Sequence, residues 1–317
     1  MRGLKYLSSA ACLVMLGMGS VHAAEQSVSI GYQRSSTLVT LLHDSGELDR
    51  RLAEQGFKIE WHEFTSGLPL LEALNVGGVD VSADVADVVP IFAQAAGAEL
   101  EVYATESPSP SAQALLVKRD SPIESIEDLR GKRIAVTKGA GNHYFLLSAL
   151  ERAGLEPQDV SISYLAPADA RAAFERDSID AWIAWEPFLT LTERAIPTRA
   201  LLDGSDGLAD YRRFYLASKR FADAHPEVLQ TLYTALEEEG TWVKAHPQEA
   251  AERLAPLWGG LDVSAVEQAN QRRSYAVEPV GDAALEVQQR MADAFLAAGM
   301  LPRPVDARGI GVWRPAP

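Results

Sequence analysis

Cysteine is almost missing from this chain: the single residue, Cys12, sits within the first two dozen positions. With that segment removed, neither disulfides nor thiolate chemistry can support the fold. Histidine is sparse as well. The six are scattered, with no two at ligand spacing on one helix, so no metal site is expected. Basic residues are outnumbered, 29 against 44 acidic ones, and such a surface repels nucleic acid and anionic lipid. No apolar run reaches the roughly 20 residues that span a bilayer. The order of glycines, Lys and Ser/Thr that cradles phosphate is absent, as are a serine elbow and a convincing carboxylate pair for glycoside chemistry. No enzyme activity and no cofactor are therefore expected.

What is present begins with a leader. Arg2 and Lys5 precede an apolar run over 7–18 and small residues ending Val21-His22-Ala23-Ala24. That order reads as a secretory signal peptide over 1–24. Its removal takes two of the 29 basic residues, Arg2 and Lys5, and leaves 27 against 44, a net charge of −17. An anionic small ligand is still compatible with that charge, because helix ends and backbone amides set the field inside a cleft. Roughly 290 remaining residues suit two domains.

The chain repeats itself. Residues 164–194 read as a helix over 168–176, a break at Asp177-Ser178, a strand over 179–185, and a further helix opened by Glu186-Pro187. Residues 70–94 run the same way: helix, Gly77-Gly78, strand through Val79-Asp80-Val81, polar turn, Pro90, apolar helix. Asp80 and Asp180 lie 100 positions apart. Strand 27–32 with its polar turn is echoed by 133–137 with residues 138–142, and strand 58–64 by 160–165. Strands alternating with helices predict a parallel sheet flanked by helices, and two copies of this length predict two α/β lobes rather than a solenoid. Ligands in such sheets sit beyond the carboxyl ends of the strands, so the two lobes enclose a cleft. Crossings are expected near Leu115 and at 213–217, giving one lobe from 25–115 with 216–317 and the other from 116–215. The helices after 225, rich in leucine and alanine, are expected to buttress the first lobe.

Candidate ligand residues follow from the turns. Gln33, Ser35 and Ser36 precede a helix at Thr37, and Ser66-Gly67 precedes another, so each turn offers hydroxyls and free amides to an anion. Simple helix capping explains them equally well. Asp84 and Asp87 are placed in the turn after the third strand, where they either cap the next helix or pair with an ammonium group. In KGAGNHY over 138–144, glycines let the backbone approach a ligand while Asn142 and His143 offer donors. Trp185 and Glu186 end the strand of the second copy. Taken singly, either Trp182 or Trp185 reads as core. Arg272 and Arg273 read as a solvated helix end, although a charged fork into the cleft is the alternative.

Several of these segments resemble the aliphatic sulfonate-binding proteins of bacterial ABC importers. They are Gly31-Tyr32-Gln33, Ser66-Gly67, the runs 71–77, 92–97 and 167–174, Asp180-Ala181-Trp182, 185–188, 214–218 and 272–275. The resemblance extends over nearly all of the mature chain, with the motifs in order in both lobes. It implies a type II periplasmic binding protein fold that closes on a small organosulfonate, acts as a monomer in the periplasm and delivers its ligand to an inner-membrane ABC permease. It also implies sulfonate contacts for Gln33, Ser35, Ser36, Ser66, Asn142, Trp185 and Glu186. A carrier for nitrate, a pyrimidine or another small anion is the alternative within the same fold. One departure stands out: the family's Gly-Asp/Glu-x-Pro-Pro is replaced by Ala86-Asp87-Val88-Val89-Pro90, with Asp84 just upstream. An extra carboxylate there points to a ligand with a cationic amine, such as taurine.

Overall fold

The computed structural model describes residues 26–33 and 35–316; the leader expected over 1–24 lies outside them. The first α/β unit runs β1 (Gln26–Gln33), α1 (Thr37–Ser45), α2 (Glu47–Ala53), β2 (Phe57–Phe64), α3 (Gly67–Asn75), β3 (Val81–Ala86), α4 (Val89–Ala95) and β4 (Leu100–Glu106). The second begins with β5 (Gln113–Lys118), then β6 (Arg133–Val136), α5 (Gly141–Arg152), β7 (Ser161–Tyr164), α6 (Pro167–Glu175), β8 (Ala181–Trp185), α7 (Phe188–Ala195) and β9 (Thr198–Asp203). The chain then returns through β10 (Arg213–Ser218), α8 (Lys219–Ala224), α9 (Pro226–Ala245), α10 (Pro247–Leu257), α11 (Val263–Gln271), β11 (Val277–Glu278), α12 (Asp282–Ala297) and β12 (Gly311–Val312).

Two sheets result. The first is ordered β11-β4-β10-β3-β1-β2, with β12 also on β4, and the second β7-β6-β8-β5-β9. In each, the first strand of the repeat is central and parallel to the other two: β1 pairs β2 and β3, and β6 pairs β7 and β8. Beyond the third strand each sheet takes in an antiparallel neighbour, β10 on β3 and β5 on β8. The two aspartates 100 positions apart do the same work. Asp80 accepts the Ser29 N–H on its side chain at 3.0 Å while its own N–H donates to the Ser29 carbonyl. Asp180 accepts the Arg133 N–H at 2.8 Å and donates to the Arg133 carbonyl. Each clamps the entry of the third strand to the first.

Three expectations need correction. Leu115 lies within β5, which belongs to the second sheet, so the first crossing falls in 107–112; Pro108 and Pro110 there have no N–H with which to continue a ladder. The return falls in 204–212, because β10 joins the first sheet from Arg213 onward. The third strand is Val81–Ala86 and therefore contains Asp84. Its polar residues sit in a central strand because partners reach them from β10. Ser82 Oγ accepts the Leu216 N–H, and Asp84 takes the Arg213 guanidinium. Of the C-terminal helices, α12 touches more than the first unit. Its Phe295 packs on Phe92 of α4 at 5.4 Å between ring centroids and on His143 of α5 at 5.7 Å, so one helix braces both units.

Candidate functional site

The carboxyl ends of the parallel strands face each other across a cleft with about 960 Å³ of free space, its open mouth included. Both walls are built the same way. A helix start leaves its first amides without a carbonyl one turn behind, and α3 opens with Gly67 and Leu68 while α5 opens with Gly141 and Asn142. All four residues line the cleft. Gly67 packs closely on α4: a Cβ there would stand 3.2 Å from Val89 Cγ2, so Val89 would have to give by a few tenths of an ångström. The partial positive charge at each helix start favours an anion.

Of the residues singled out from the sequence, Gln33, Ser35, Ser66, Asp87, Asn142, Trp185 and Glu186 line this cleft. Two do not. Ser36 is fully buried, its Oγ turned back to accept the Gln33 N–H at 3.3 Å. Asp84 is buried beneath the floor, with Oδ2 accepting from Arg213 Nε at 2.7 Å. Asp84 is thus engaged by a guanidinium, which leaves Asp87 as the carboxylate available to a ligand ammonium. Other expected side chains have one hydrogen bond already made within the protein. Gln33 Nε2 donates to the Asp84 carbonyl at 3.1 Å, and Asn142 Nδ2 to the Ile183 carbonyl at 2.9 Å. His143 is buried; its Nδ1 accepts the Gly139 N–H, and burial with Lys138 nearby lowers its pKa to about 4, so the ring is neutral.

Glu186, while lining the cleft, also bridges two elements. Its carboxylate folds back on α7, accepting from the Thr190 hydroxyl and N–H at 2.9 and 3.2 Å. Arg272, just past α11, donates to it at 2.6 Å and to Glu193 at 2.7 Å. Burial raises the Glu186 pKa and the Arg272 guanidinium opposes the shift. A neighbouring cluster joins Arg194 of α7 to Asp262, which caps α11, and to Ser264 in its first turn. These bonds tie the second unit to the C-terminal helices along one rim of the cleft.

The floor was not legible in the sequence. Tyr211, Arg212, Arg213 and Arg273 line it. Arg273, read as a solvated helix end with a fork into the cleft as the alternative, lines the cleft and is only 6% exposed; Glu106 accepts from it at 2.7 Å and its guanidinium lies over the Tyr275 ring at 4.9 Å. Glu106 in turn accepts from the Tyr215 hydroxyl. A charged residue survives burial only when paired in this way, and those partners lie more than 100 positions away. Among the described residues, Lys138 and the three floor arginines line the cleft with Asp87 and Glu186. Each arginine is ion-paired, Arg212 with Asp210 and Glu278, Arg213 with Asp84 and Arg273 with Glu106, so it is the helix starts that supply the field favouring an anion. Leu68, Val89 and Trp185 supply apolar wall.

Among the described residues, Asp87 is the one carboxylate lining the cleft that is not held by a salt bridge. Desolvation pushes its pKa up to about 7, against the pull of Arg213 and the amides of Arg212 and Val88. Its Oδ1 lies against the start of α5, 3.0 Å from where a Cβ on Gly141 would stand. Among the described residues there is no group of three or more His, Cys, Asp or Glu placed to hold a metal ion, and no helix long and apolar enough to cross a membrane.

The sequence profile described as NMT1/THI5 like matches residues 52–250. A relative in Escherichia coli (strain K12) named for binding aliphatic sulfonates is 35% identical over 296 residues, covering 93% of this chain and 91% of its own. The taurine-binding periplasmic protein of the same strain is 31% identical over 69% of this chain and 67% of its own. The crystal structure of the periplasmic aliphatic sulphonate-binding protein from Escherichia coli superposes with a TM-score of 0.85 at 35% identity, over 91% of this chain and 97% of that one. The chain belongs to the NMT1/THI5-like family, in the group that includes the periplasmic aliphatic sulfonate-binding proteins.

Proposed function

We propose that this protein is the periplasmic substrate-binding component of an ABC importer, and that it captures an aliphatic sulfonate, with taurine a candidate. The observation that carries the reading is the cleft itself. The starts of α3 and α5 face it from opposite units, arginines line its floor, and Leu68, Val89 and Trp185 wall it. A sulfonate presents three acceptor oxygens and one charge to such donors, and its carbon chain meets the apolar wall. Contact with both units favours the closed arrangement, so ligand shifts the population toward it. The leader over 1–24 directs export and is cleaved, and the closed monomer hands its ligand to a permease in the inner membrane.

A ligand that binds only the folded chain raises the melting midpoint by mass action. The test is a thermal melt of the mature protein with ethanesulfonate, taurine, sulfate, nitrate and a pyrimidine. A rise with the organosulfonates above that with sulfate or nitrate supports the proposal. A rise confined to nitrate or to the pyrimidine would overturn it in favour of that carrier.

A further inference from the structure

The two units meet along two seams of opposite chemistry. On one side α12 packs against α5, and the seam is apolar. Val88 of the first unit, Tyr144 and Phe145 of α5, and Met291 and Phe295 of α12 belong to one core that crosses from unit to unit. The return segment 204–212 joins it through Leu208 and Ala209. On the other side α7 runs antiparallel to α11, and there the cores stay apart: Leu189 of α7 belongs to one and Val266 of α11 to another. What passes between these two helices is polar. Arg272 reaches Glu186 and Glu193 at the cleft end, and Arg194 reaches Asp262, Ser264 and Gln268 at the outer end. Ser264, Gln268 and Arg272 recur every four residues, along a single face of the helix.

Parting the two seams has unequal consequences. Phe295 is fully buried, and pulling α12 from α5 would uncover its ring, a side chain of the kind that buries about 150–250 Å². Parting α7 from α11 releases charged and amide groups that water takes over. At the outer end they are partly wet already, the Arg194 and Asp262 side chains being 38% and 69% exposed. Resting on the binding-protein reading above but not on the identity of the ligand, we propose that the cleft opens by parting α7 from α11 while α12 stays packed on α5. The Arg194 and Arg272 bonds are then a latch, and α12 with segment 204–212 is the pivot. Glu186 lines the cleft and accepts from Arg272, so the latch begins beside the ligand and unfastens from its exposed end inward.

The experiment places nitroxide pairs on the mature protein, where the loss of Cys12 with the leader leaves each label site unique. Ala195→Cys with Val263→Cys spans the latch, and Glu151→Cys with Ala297→Cys spans the pivot, all at exposed positions outside the bonds above. Electron paramagnetic resonance reads both distances at low salt, at about 1 M salt, where charges are screened beyond about 3 Å, in Arg194→Gln, and with ethanesulfonate. High salt and Arg194→Gln should each lengthen the latch distance by at least two hydrogen-bond lengths, about 5.5 Å, as water enters. Ethanesulfonate should return it to the short value, and the pivot distance should stay fixed throughout. A latch distance unmoved by both salt and Arg194→Gln, or a pivot distance that widens as far, would overturn the proposal. Lengthening that ethanesulfonate does not reverse would leave the latch standing and count against the sulfonate reading.

Discussion

Asp87→Asn is the substitution whose outcome the geometry specifies most closely. A sulfonate head seated at the start of α5 would lie beside the Asp87 carboxylate, which already rests against Gly141. Two unit charges about 4 Å apart repel by about 4 kcal/mol at an effective dielectric constant of 20. Protonating a group of pKa about 7 at pH 8 costs only about 1.4 kcal/mol. Protonation is the cheaper route, so the complex forms with Asp87 neutral. Below pH 7 the free protein is already in that state and affinity for an amine-free sulfonate is flat. Above it each pH unit weakens binding toward tenfold, a proton being taken up with the ligand. In Asp87→Asn the profile is flat throughout. Taurine reverses the sign, because its ammonium pairs with the ionised carboxylate, so its affinity climbs as pH rises through 7. Titration calorimetry at pH 6, 7 and 8 in buffers of differing ionisation enthalpy reads both the slope and the proton. Wild-type affinity for ethanesulfonate that ignores pH, or a slope that persists in Asp87→Asn, would refute the reasoning. The same group sets a stability trend: its folded pKa lies above the ordinary 3.8, so the unliganded protein is favoured below that value and loses stability as pH climbs to about 7.

Other substitutions follow from the same contacts. Arg272→Gln breaks the bonds to Glu186 and Glu193 across the rim. Because Arg272 is about a quarter exposed while Glu186 is buried, the loss should be about 1–2 kcal/mol, lowering the melting midpoint of the unliganded protein and raising ligand Kd as the bridge between the units weakens; an unchanged midpoint would show the bridge to be dispensable. Asp84→Ala strands the buried Arg213 guanidinium and should destabilise the fold by about 3 kcal/mol, read by urea unfolding; a change below about 1 kcal/mol would show the pair to be dispensable. Trp185→Ala should weaken ligand binding without unfolding the chain, as followed by circular dichroism, and unchanged affinity would remove Trp185 from the site.

How far the sequence led depends on the range of each interaction. The repeat was readable because its signals are local: Asp80 and Asp180 each recur at the same point between a helix and a strand, and each clamps its own strand start. The helix starts after Ser66 and Ala140 were readable for the same reason, since a polar or glycine-rich turn before an apolar helical run is written in three or four neighbouring residues, although neither start carries a side-chain cap. The floor was not. Asp84 looked like a turn residue because nothing nearby could balance a charge inside a strand; its partner Arg213 lies 129 positions on. Arg273 looked solvated until Glu106, 167 positions away, came beneath it. Ser36 and Glu186 were assigned by their place in a turn, but side-chain direction is decided by what else packs there. Ser36 closes its own turn and Glu186 bridges to α11.

The central claim is that the cleft captures an organosulfonate. Calorimetric titration of the mature protein with ethanesulfonate at pH 6, with nitrate and sulfate in parallel, tests it most directly. The account predicts saturable one-to-one binding of ethanesulfonate, with Kd at least tenfold below that of either inorganic anion. Equal or tighter binding of nitrate or sulfate, or no heat with any sulfonate, would contradict it.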